Sequence, residues 1–399
     1  MSAYRDVQSA FLGELRGVVE DGTDIRVRGS LTREVRARLV EIEHIRERYV
    51  VVPNRHNNVF ASIAESMWVI AGRNDLGYLG AYLSRASEYS DDGRTWRAGY
   101  GPRLRNWNGV DQLAEVVSIL RADLSSRRAV ATIYDPDRDF TESKDIPCNN
   151  WLHFLARDGR VDLHVAARST DIWWGFSGIN AFEWTLLLEI VACWLGQEPG
   201  RLVFFTSSMH LYELHFDKAK QLLEQGTAQP DHHANAPRPA FTTPWEMFST
   251  EMAEWMRVEE AMRSGLELAE TDCTLTDPLL TAYAQMIDLF WTFKREEEVA
   301  KIDQRLAAIP PTHLRVHSRV QSAPVDALLD CRCRCIRLRH VVGGQALEQG
   351  GGGLSEPGSR WVAGAFRGAP RSARASSAAL SVRSGERRSS ASFHRAAAA

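Results

Sequence analysis

The sequence has little that would place the protein in a membrane or on nucleic acid. No uninterrupted apolar run reaches the roughly 18 residues that a membrane-spanning helix needs. The amino-terminal stretch MSAYRDVQSAFLGEL is charged and amphipathic, unlike the apolar core of a signal peptide. The formal net charge is only -3 over 399 residues, whereas a nucleic-acid scaffold is usually strongly basic. We therefore expect a cytoplasmic protein with no membrane partner and no nucleic-acid partner.

Cysteine is also scarce, with six residues in the chain, which excludes a disulfide framework. The CRCRC segment that begins at Cys331 has the wrong spacing for a zinc knuckle, and no His pair follows it at ligand spacing. We therefore expect no metal site. Cys193 lies in the apolar run LLLEIVACWLG and is predicted to be a packing residue. Cys148, directly after Pro147, is the cysteine with a candidate chemical role.

The residues that follow Cys148 predict a β-hairpin. Trp151–Leu155 and Val161–Val165 alternate in the manner of strands, and Asp158-Gly159 between them is typical of a tight turn. A hairpin brings its two open ends together. The thiol before the first strand should therefore meet the polar residues that follow the second strand, which are Arg168, Ser169 and Asp171.

The other elements are predicted from periodicity and turn residues. Helices are expected over Phe60–Ala71, Val110–Asp123 and Phe182–Leu195, the last as a core helix without chemistry of its own. A short buried strand is expected over Leu202–Thr206, and residues 72–110 are predicted to be loop-like. Strands and helices in this arrangement, with 44% hydrophobic and 25% charged residues, indicate a soluble protein of the α/β (α+β) class.

Several further residues are candidates for a site. Glu65 lies among apolar residues of its predicted helix, where it would either cap or act as a general acid/base with a raised pKa. Tyr100 is flanked by two glycines that allow a close backbone approach to a ligand. His210 and Tyr212 would share one face of an extended segment.

Arginines supply the positive charge. Arg28 lies in the Arg-rich segment IRVRGSLTREVRARL, with a turn predicted at Gly29-Ser30, and it is either a solvated residue or a phosphate ligand. Arg127 and Arg128 are adjacent and precede a predicted strand, so their side chains should point in opposite directions. They are either surface charges or a phosphate clamp that reaches into a neighbouring subunit.

A cysteine near guanidinium groups is favoured as a thiolate, the reactive form of the side chain. Cys148 with Arg168 and Ser169 therefore indicates a nucleophile that acts on an anionic, phosphorylated substrate. No His–Asn pairing typical of papain-like proteases is evident, which disfavours peptide hydrolysis.

Several segments of the sequence resemble those of a known protein family. The segments PCNNWLHF, AARSTD, DLSSRRAV, AESMWVIAG and MHLYELH are similar to those of thymidylate synthases and the related pyrimidine nucleotide hydroxymethylases. The resemblance covers roughly residues 25 to 222. It implies a large mixed, mainly antiparallel sheet flanked by helices.

The resemblance also implies roles. Cys148 would add to C6 of the pyrimidine, Glu65 would move protons through water, Tyr100 would assist proton removal from C5, and Asn180 would read the base. The phosphate would be bound by Arg168 and Ser169, with Arg28 as a further contact. Arg127 and Arg128 would come from the partner chain, which implies a homodimer. His210 and Tyr212 would hold the ribose, and Asp171 would orient the pterin of 5,10-methylenetetrahydrofolate, the co-substrate.

Composition and resemblance together predict four parts. They are a thymidylate-synthase-like catalytic core over residues 1–225, a linker loop over 226–244, a helical C-terminal part of the domain over 245–309, and a low-complexity tail over 310–399. The tail is rich in Arg, Ser, Ala and Gly and cannot bury enough apolar surface to fold alone, so we predict that it is disordered.

The chain departs from the family pattern in three places. The segment Gly175–Asn180 is one residue longer than the family's Gly-x-Pro-Phe-Asn. LSRASEYSDDGRTW lacks the Trp pair that synthases carry, and the tail lacks their short hydrophobic lid. Where they are present, the Trp pair and the lid shield an exocyclic methylene intermediate from water.

Three functions follow. The first is conversion of dUMP to dTMP, the synthase reaction. The alternative is hydroxymethylation of dUMP, dCMP or CMP, with water capturing the methylene. A hypothesis of a different class is a nucleotide-binding protein without turnover.

Overall fold

The computed structural model describes residues 2–52, 55, 57–225 and 238–295, with 302, 304, 305 and 307 beyond them. These residues all belong to one compact unit. Most of the predicted linker and the whole predicted tail, with the CRCRC segment, lie outside the described residues.

An eight-stranded mixed sheet organises the fold. Its strands are β1 Ser2–Tyr4, β2 Thr23–Val27, β3 Ser30–Ile42, β4 Val130–Thr132, β5 Asn149–Arg157, β6 Arg160–Ala167, β7 Thr170–Asp171 and β8 Glu198–Tyr212. The order is β1-β3-β8-β6-β5-β4, with β2 paired to β3 and β7 paired to β8. The pairs β2–β3, β3–β8, β4–β5 and β5–β6 are antiparallel, and the others are parallel. The predicted mixed, mainly antiparallel sheet is confirmed.

Helices flank this sheet. They are α1 Val7–Asp21, α2 Val59–Ile70, α3 Leu76–Leu79, α4 Tyr100–Arg105, α5 Gln112–Ala122, α6 Pro136–Asp139, α7 Ala181–Trp194, α8 Phe216–Glu224, α9 Trp245–Arg263 and α10 Pro278–Lys294. Short 3₁₀ turns cover Ala86–Tyr89, Glu213–His215 and Leu268–Glu270, and a π-helical segment covers Ile172–Asn180. The predicted helices α2, α5 and α7 are confirmed to within two residues at each end.

The central hairpin has the predicted form. Asp158 and Gly159 join β5 to β6 with φ angles of 50° and 74°, the left-handed pair that a type I′ turn requires. At the open end the backbone N–H of Arg168 donates to the carbonyl of Cys148 at 2.8 Å. The sequence therefore brings the residues on either side of the hairpin together through local turn chemistry alone.

The core lies between one face of the sheet and helices α1, α2 and α7. Leu152, Phe154, Leu163 and Phe204 point to this face and are 0% exposed, because side chains alternate between the two faces along each strand. On the opposite face, Trp151 and Phe205 remain 38% and 37% exposed. The sheet therefore has one buried face and one apolar, partly open face.

The stretch Ile172–Trp194 is long and apolar enough for a membrane span, although 89% of its most apolar window is buried inside the protein. Gly196, with φ of 63°, follows the end of α7. This is the packing expected of a core helix.

Two predictions of secondary structure were wrong about how far the strand or loop extends. The strand predicted over Leu202–Thr206 is only the middle of the 15-residue β8. Ser207 and Ser208 interrupt the apolar alternation, so the sequence hid the end of the strand, Ser208–Tyr212, which continues the pairing with β3. Residues 72–110, predicted to be loop-like, contain α3 and α4, which are too short to show helical periodicity.

A buried ion pair fixes α4 against the end of the sheet. Arg103 of α4 donates to both carboxylate oxygens of Asp139 at 2.7 and 2.8 Å and also to the carbonyl of Ile133. Arg103 and Asp139 are 1% and 3% exposed. Because α4 begins at Tyr100, this pair also determines where that side chain lies.

The Asp139→Ala substitution should strongly destabilise the fold. It leaves the buried Arg103 guanidinium without its counterion, which costs about 3–5 kcal/mol in comparable cases. Urea unfolding monitored by circular dichroism measures the change. Glu88→Ala, which breaks the exposed Arg85–Glu88 pair, should leave the unfolding midpoint unchanged. Equal midpoints for the two variants would contradict the role given to the buried pair.

Candidate active site

Cys148 lies at the open end of the hairpin, and Arg168 lies against it. The sulfur of Cys148 is 3.8 Å from Nη2 of Arg168. Arg168 also donates to the carbonyls of Pro147 and Ile146 at 2.8 and 2.9 Å. The same guanidinium therefore fixes the loop that carries the cysteine and places positive charge beside its sulfur, as a nucleophilic thiolate requires.

Tyr100 is the second group at this position. Its hydroxyl accepts a hydrogen bond of 2.7 Å from the side-chain amide of Asn149, the residue after the cysteine. Its ring packs 5.4 Å from that of Trp184. Burial, and next the neighbouring Cys148 and Glu183, raise the pKa of Tyr100 well above its usual value. The phenol is therefore neutral and able to donate a hydrogen bond.

Glu65 comes from α2 and is buried. It is 9% exposed, and its Oε2 has no hydrogen-bond partner among the described residues. Burial, with a smaller contribution from Asp145, raises its pKa to about 8. A carboxyl group with this pKa can both give and take a proton near neutral pH, as general acid/base chemistry requires.

Asn180 ends the π-helical segment that precedes α7. The segment from Gly175 to Asn180 has one residue more than the family pattern, and a π-helix is the backbone form that accommodates an extra residue within a helical turn. Asn180 is 8% exposed. The insertion is therefore absorbed by the backbone, and the side chain stays at the inner end of α7.

The predicted ribose and phosphate residues converge through strand pairing. β7 pairs in parallel with β8, which places Asp171 opposite His210. The rings of His210 and Tyr212 lie 5.3 Å apart. Arg168 donates to the Ser169 hydroxyl at 3.2 Å. The four predicted phosphate and ribose residues therefore lie near the open end of the hairpin: Arg168, Ser169, His210 and Tyr212.

Arg28 is the further predicted phosphate contact. It has a φ of 49° in the β2–β3 turn, followed by Gly29 with a φ of 83°, so the turn is one residue earlier than predicted. Burial raises the pKa of Tyr212. The neighbouring Asp171 and Cys148 raise this pKa further, whereas Arg28 lowers it. Arg28 therefore exerts an electrostatic influence on Tyr212, one of the predicted ribose residues.

Arg127 and Arg128 lie elsewhere in the chain. The adjacent Ala129 carbonyl accepts from the N–H of Phe154, six residues beyond Cys148 along β5. At about 3.3 Å per strand residue this is roughly 20 Å from the thiol. Both arginines are exposed. The structure therefore does not bring them to the Cys148 of their own chain.

Asp171 has the features expected of a group that binds a pterin. Its carboxylate oxygens accept from the backbone N–H groups of Trp173 and Trp174 at 3.0 and 3.1 Å, and burial raises its pKa to about 6. Each carboxylate oxygen retains a second lone pair for a ligand donor. Trp174 is 48% exposed and offers an adjacent aromatic surface. These residues fit a flat, hydrogen-bonding ring such as that of a folate.

Glu183 lies in α7, which its apolar sequence predicted to be a core helix without chemistry, so this acid was not predicted as a site residue. This residue is 1% exposed, and neither of its carboxylate oxygens makes a hydrogen bond of normal geometry within the described residues. Burial and then Glu65 raise its pKa well above the usual value, while Asn180 lowers it. A single acidic residue within the apolar run that begins α7, FEWTLLL, was the signal that could have found it.

Among the described residues, no group of three or more His, Cys, Asp and Glu side chains could hold a metal ion.

Comparison with known proteins gives the class of this site. The family model for thymidylate synthase matches residues 9–253, and the chain belongs to the thymidylate synthase family.

Similar proteins include both branches of this family. The chain is 37% identical over 214 residues to a protein of Bacillus phage SP01 named deoxyuridylate hydroxymethyltransferase, a match that covers 51% of this chain and 56% of the phage protein. It is 33% identical over 273 residues to a protein of the same name from Pseudomonas phage M6, with 66% and 75% covered. A protein of Methanothermobacter marburgensis named putative thymidylate synthase is 33% identical over 224 residues, with 55% and 96% covered. The chain thus spans little more than half of the SP01 protein.

The Glu65→Gln substitution should change how stability depends on pH. Between the usual carboxyl pKa and about 8, the folded protein keeps a proton on Glu65 that the unfolded chain has lost. Wild-type stability therefore falls as pH rises through this window, by up to about 1.4 kcal/mol per pH unit, and Gln removes that fall. Urea unfolding at intervals across the window should show the variant gaining stability relative to the wild type.

A matched control is Glu246→Gln. Glu246 is exposed, and Arg121 lowers its pKa, so it titrates below the window. This control should run parallel to the wild type. A Glu65→Gln curve that is also parallel would contradict the raised pKa.

Proposed function

We propose that the protein transfers a one-carbon unit to C5 of a pyrimidine nucleoside monophosphate, with dUMP as the substrate, through a covalent adduct between Cys148 and C6. The observation that carries the proposal is the position of the Cys148 sulfur, 3.8 Å from a guanidinium that is itself fixed to the preceding loop. Family membership supports the same chemistry.

The covalent step follows from the sulfur and its surroundings. The Cys148 thiolate adds to C6, and the ring electrons move toward O4, which makes C5 nucleophilic. Glu65, with its pKa raised to about 8, donates the proton that stabilises the charge at O4. The amide of Asn180 can pair with O4 and N3–H of uracil, since it presents one donor and one acceptor.

The nucleotide is oriented by the opposite edge of the site. Arg168, Ser169 and Arg28 provide charge-assisted donors for the phosphate. His210 and Tyr212, which strand pairing places beside Asp171, would hold the ribose. Because these side chains come from the hairpin end, β2–β3 and β8, the phosphate position is fixed by the sheet.

5,10-Methylenetetrahydrofolate supplies the one-carbon unit at the level of formaldehyde. Asp171 and the exposed ring of Trp174 would hold its pterin over the nucleotide. Tyr100, neutral and bonded to Asn149, would orient a water that removes the C5 proton. Once C5 has formed a bond to the one-carbon unit, loss of this proton and departure of tetrahydrofolate leave an exocyclic methylene on C5 of the nucleotide.

We favour water as the group that captures this methylene, which gives the 5-hydroxymethyl nucleotide. The two phage relatives named deoxyuridylate hydroxymethyltransferase support this product. The missing Trp pair also supports it, because such a pair would exclude water.

The second candidate is thymidylate formation, in which reduced folate delivers a hydride to the methylene. Asn180 is retained for uracil, and the archaeal relative is named putative thymidylate synthase. The resemblance seen in the sequence favours thymidylate formation, and family membership agrees with either product.

The assay combines the protein with methylenetetrahydrofolate and dUMP, dCMP or CMP tritiated at C5. Tritium release reports the shared chemistry, and product chromatography with dihydrofolate absorbance distinguishes the two products. We expect tritium release and 5-hydroxymethyl-dUMP without dihydrofolate. Cys148→Ser should lower turnover by at least about 10³-fold, the scale seen when an enzyme loses its nucleophile. Cys193→Ser, a packing cysteine of α7, is the control and should keep activity.

Absence of tritium release from all three nucleotides would leave the protein as a nucleotide binder and would refute the proposal. Dihydrofolate formed in step with dTMP would support the second candidate. Full turnover by Cys148→Ser would exclude the covalent mechanism.

We also propose that the active unit is a homodimer with shared sites. Arg127 and Arg128 are exposed about 20 Å from their own thiol, and the sheet has an apolar, partly open face with Trp151 and Phe205. A second copy would cover this face by two-fold symmetry and bring the two arginines to the partner's phosphate.

Subunit mixing tests the shared site. Cys148→Ser homodimers lack the nucleophile, and Arg127→Ala/Arg128→Ala homodimers should bind nucleotide about 10-fold or more weakly, because charged hydrogen bonds are lost. Hybrids of the two should regain activity, since one site receives Cys148 from one chain and both arginines from the other. Activity in the mixture no greater than the sum of the separate homodimers would exclude sharing.

A further inference from the structure

Glu183 is a buried acid without the partners that such a residue normally has. It is the third residue of α7, is 1% exposed, and has two carboxylate oxygens without a hydrogen bond of normal geometry among the described residues. Glu189, six residues further along the same helix, is buried at 2% exposure but pairs with Arg48 and Arg46. The two acids therefore differ in their partners and not in their burial.

The surroundings of Glu183 are acidic or neutral. Glu65 approaches from α2 and Tyr100 from α4, Asn180 lies just before α7, and Asp145 faces Glu65 from the loop before Cys148. Within the described part of the chain no arginine or lysine forms an ion pair with Glu183. Two nearby carboxyl groups without a counterion cannot both ionise at neutral pH, so the pair holds at least one proton.

The pair formed by Glu65 and Glu183 lies near the nucleophile, Cys148. Tyr100 is close enough to be influenced by both Cys148 and Glu183, and it is bonded to the residue after the thiol. Unpartnered polar atoms also occur on Glu65 and Asn149. Buried polar groups of this kind are normally satisfied by water or by a ligand. The site is therefore built to hold a small hydrogen-bonding molecule beside the base.

We propose that Glu183 is a positioning residue that, together with Glu65, orients the water that captures the exocyclic methylene. The inference rests on the proposed hydroxymethylation and assigns the residue that directs it. The pair can do this because a protonated carboxyl donates to the water oxygen while a carboxylate accepts from its hydrogen.

The step balances without an oxidant or reductant. The water oxygen forms a bond to the methylene carbon, and its proton passes to the carboxylate of the pair. The electrons of the C5–methylene double bond move to form the C4 enolate. The enolate then restores the C4 carbonyl and the C5–C6 double bond, and the C6–sulfur bond breaks to return the Cys148 thiolate. The product is the 5-hydroxymethyl nucleotide.

The test compares wild type with Glu183→Gln, which keeps size and polarity but cannot hold the proton. In a single turnover with enzyme in excess, tritium release from C5-labelled dUMP, which reports addition and C5 deprotonation, should change in rate by less than about threefold. Formation of 5-hydroxymethyl-dUMP should fall by about 10²-fold, the usual effect of removing an acid/base group. Added 2-mercaptoethanol should intercept the accumulated methylene as a C5 thioether in the variant, and Glu183→Asp should restore part of the hydroxymethyl product.

A readout on the ligand-free protein is also available. Infrared difference spectra of wild type and Glu183→Gln at neutral pH should show loss of a protonated carboxyl band. Glu189→Gln is the matched control from the same helix. It should lower thermal stability and leave both the product ratio and this band unchanged, because Glu189 is an ionised partner of Arg48 and Arg46.

Four results would overturn the inference. A Glu183→Gln variant that gives hydroxymethyl product at the wild-type rate would contradict it, and a variant that loses tritium release in parallel with product would indicate a structural or earlier role. A wild type that releases tritium but gives dTMP with dihydrofolate would refute hydroxymethylation and this inference together. A wild type that releases no tritium would refute the proposed transferase itself.

Discussion

The hydrogen bonds between Arg168 and the chain before Cys148 are the constraint on which the site depends. The backbone N–H of Arg168 bonds to Cys148, and its guanidinium bonds to Pro147 and Ile146. These contacts close the open end of a hairpin whose other end is fixed by a type I′ turn. One arginine therefore aligns the nucleophile, supplies its neighbouring charge and begins the segment that leads to Ser169 and Asp171.

Cationic and acidic residues lie on different sides of Cys148. The edge with Arg28 and Arg168 is exposed and cationic, as a phosphate requires. The inner end, formed by Glu65, Glu183 and Tyr100, is buried and contains protonated acids. A nucleotide placed between them would have its phosphate in the solvated part and its base against proton donors. The fold achieves this separation because β8 and the hairpin supply the first group, whereas α2, α4 and α7 supply the second.

Raised pKa values and stability are linked in this arrangement. Burying Glu65 and Glu183 without a cation lowers the stability of the folded state at neutral pH, since each acid would ionise freely in the unfolded chain. The buried Arg103–Asp139 and Arg48–Glu189 pairs show that the same fold supplies counterions elsewhere. The absence of one for Glu183, within the described residues, is therefore a local feature of the site.

Much of the fold and site could be predicted from short-range patterns. The hairpin, the helices α2, α5 and α7, the adjacency of Cys148 to Arg168, and the shared face of His210 and Tyr212 all follow from turn residues and periodicity, which act over a few positions. The sequence did not reveal the length of β8, because Ser207 and Ser208 break its pattern, nor the π-helical form of the Asn180 segment, because one extra residue has no local signature. The proximity of Glu65 and Glu183 could not be predicted either, since 118 positions separate them in the chain. The sequence by itself thus determined the nucleophile, its arginine and the strands that present them, whereas only the tertiary structure decided which acids lose their solvent and face each other, because burial depends on how distant helices pack.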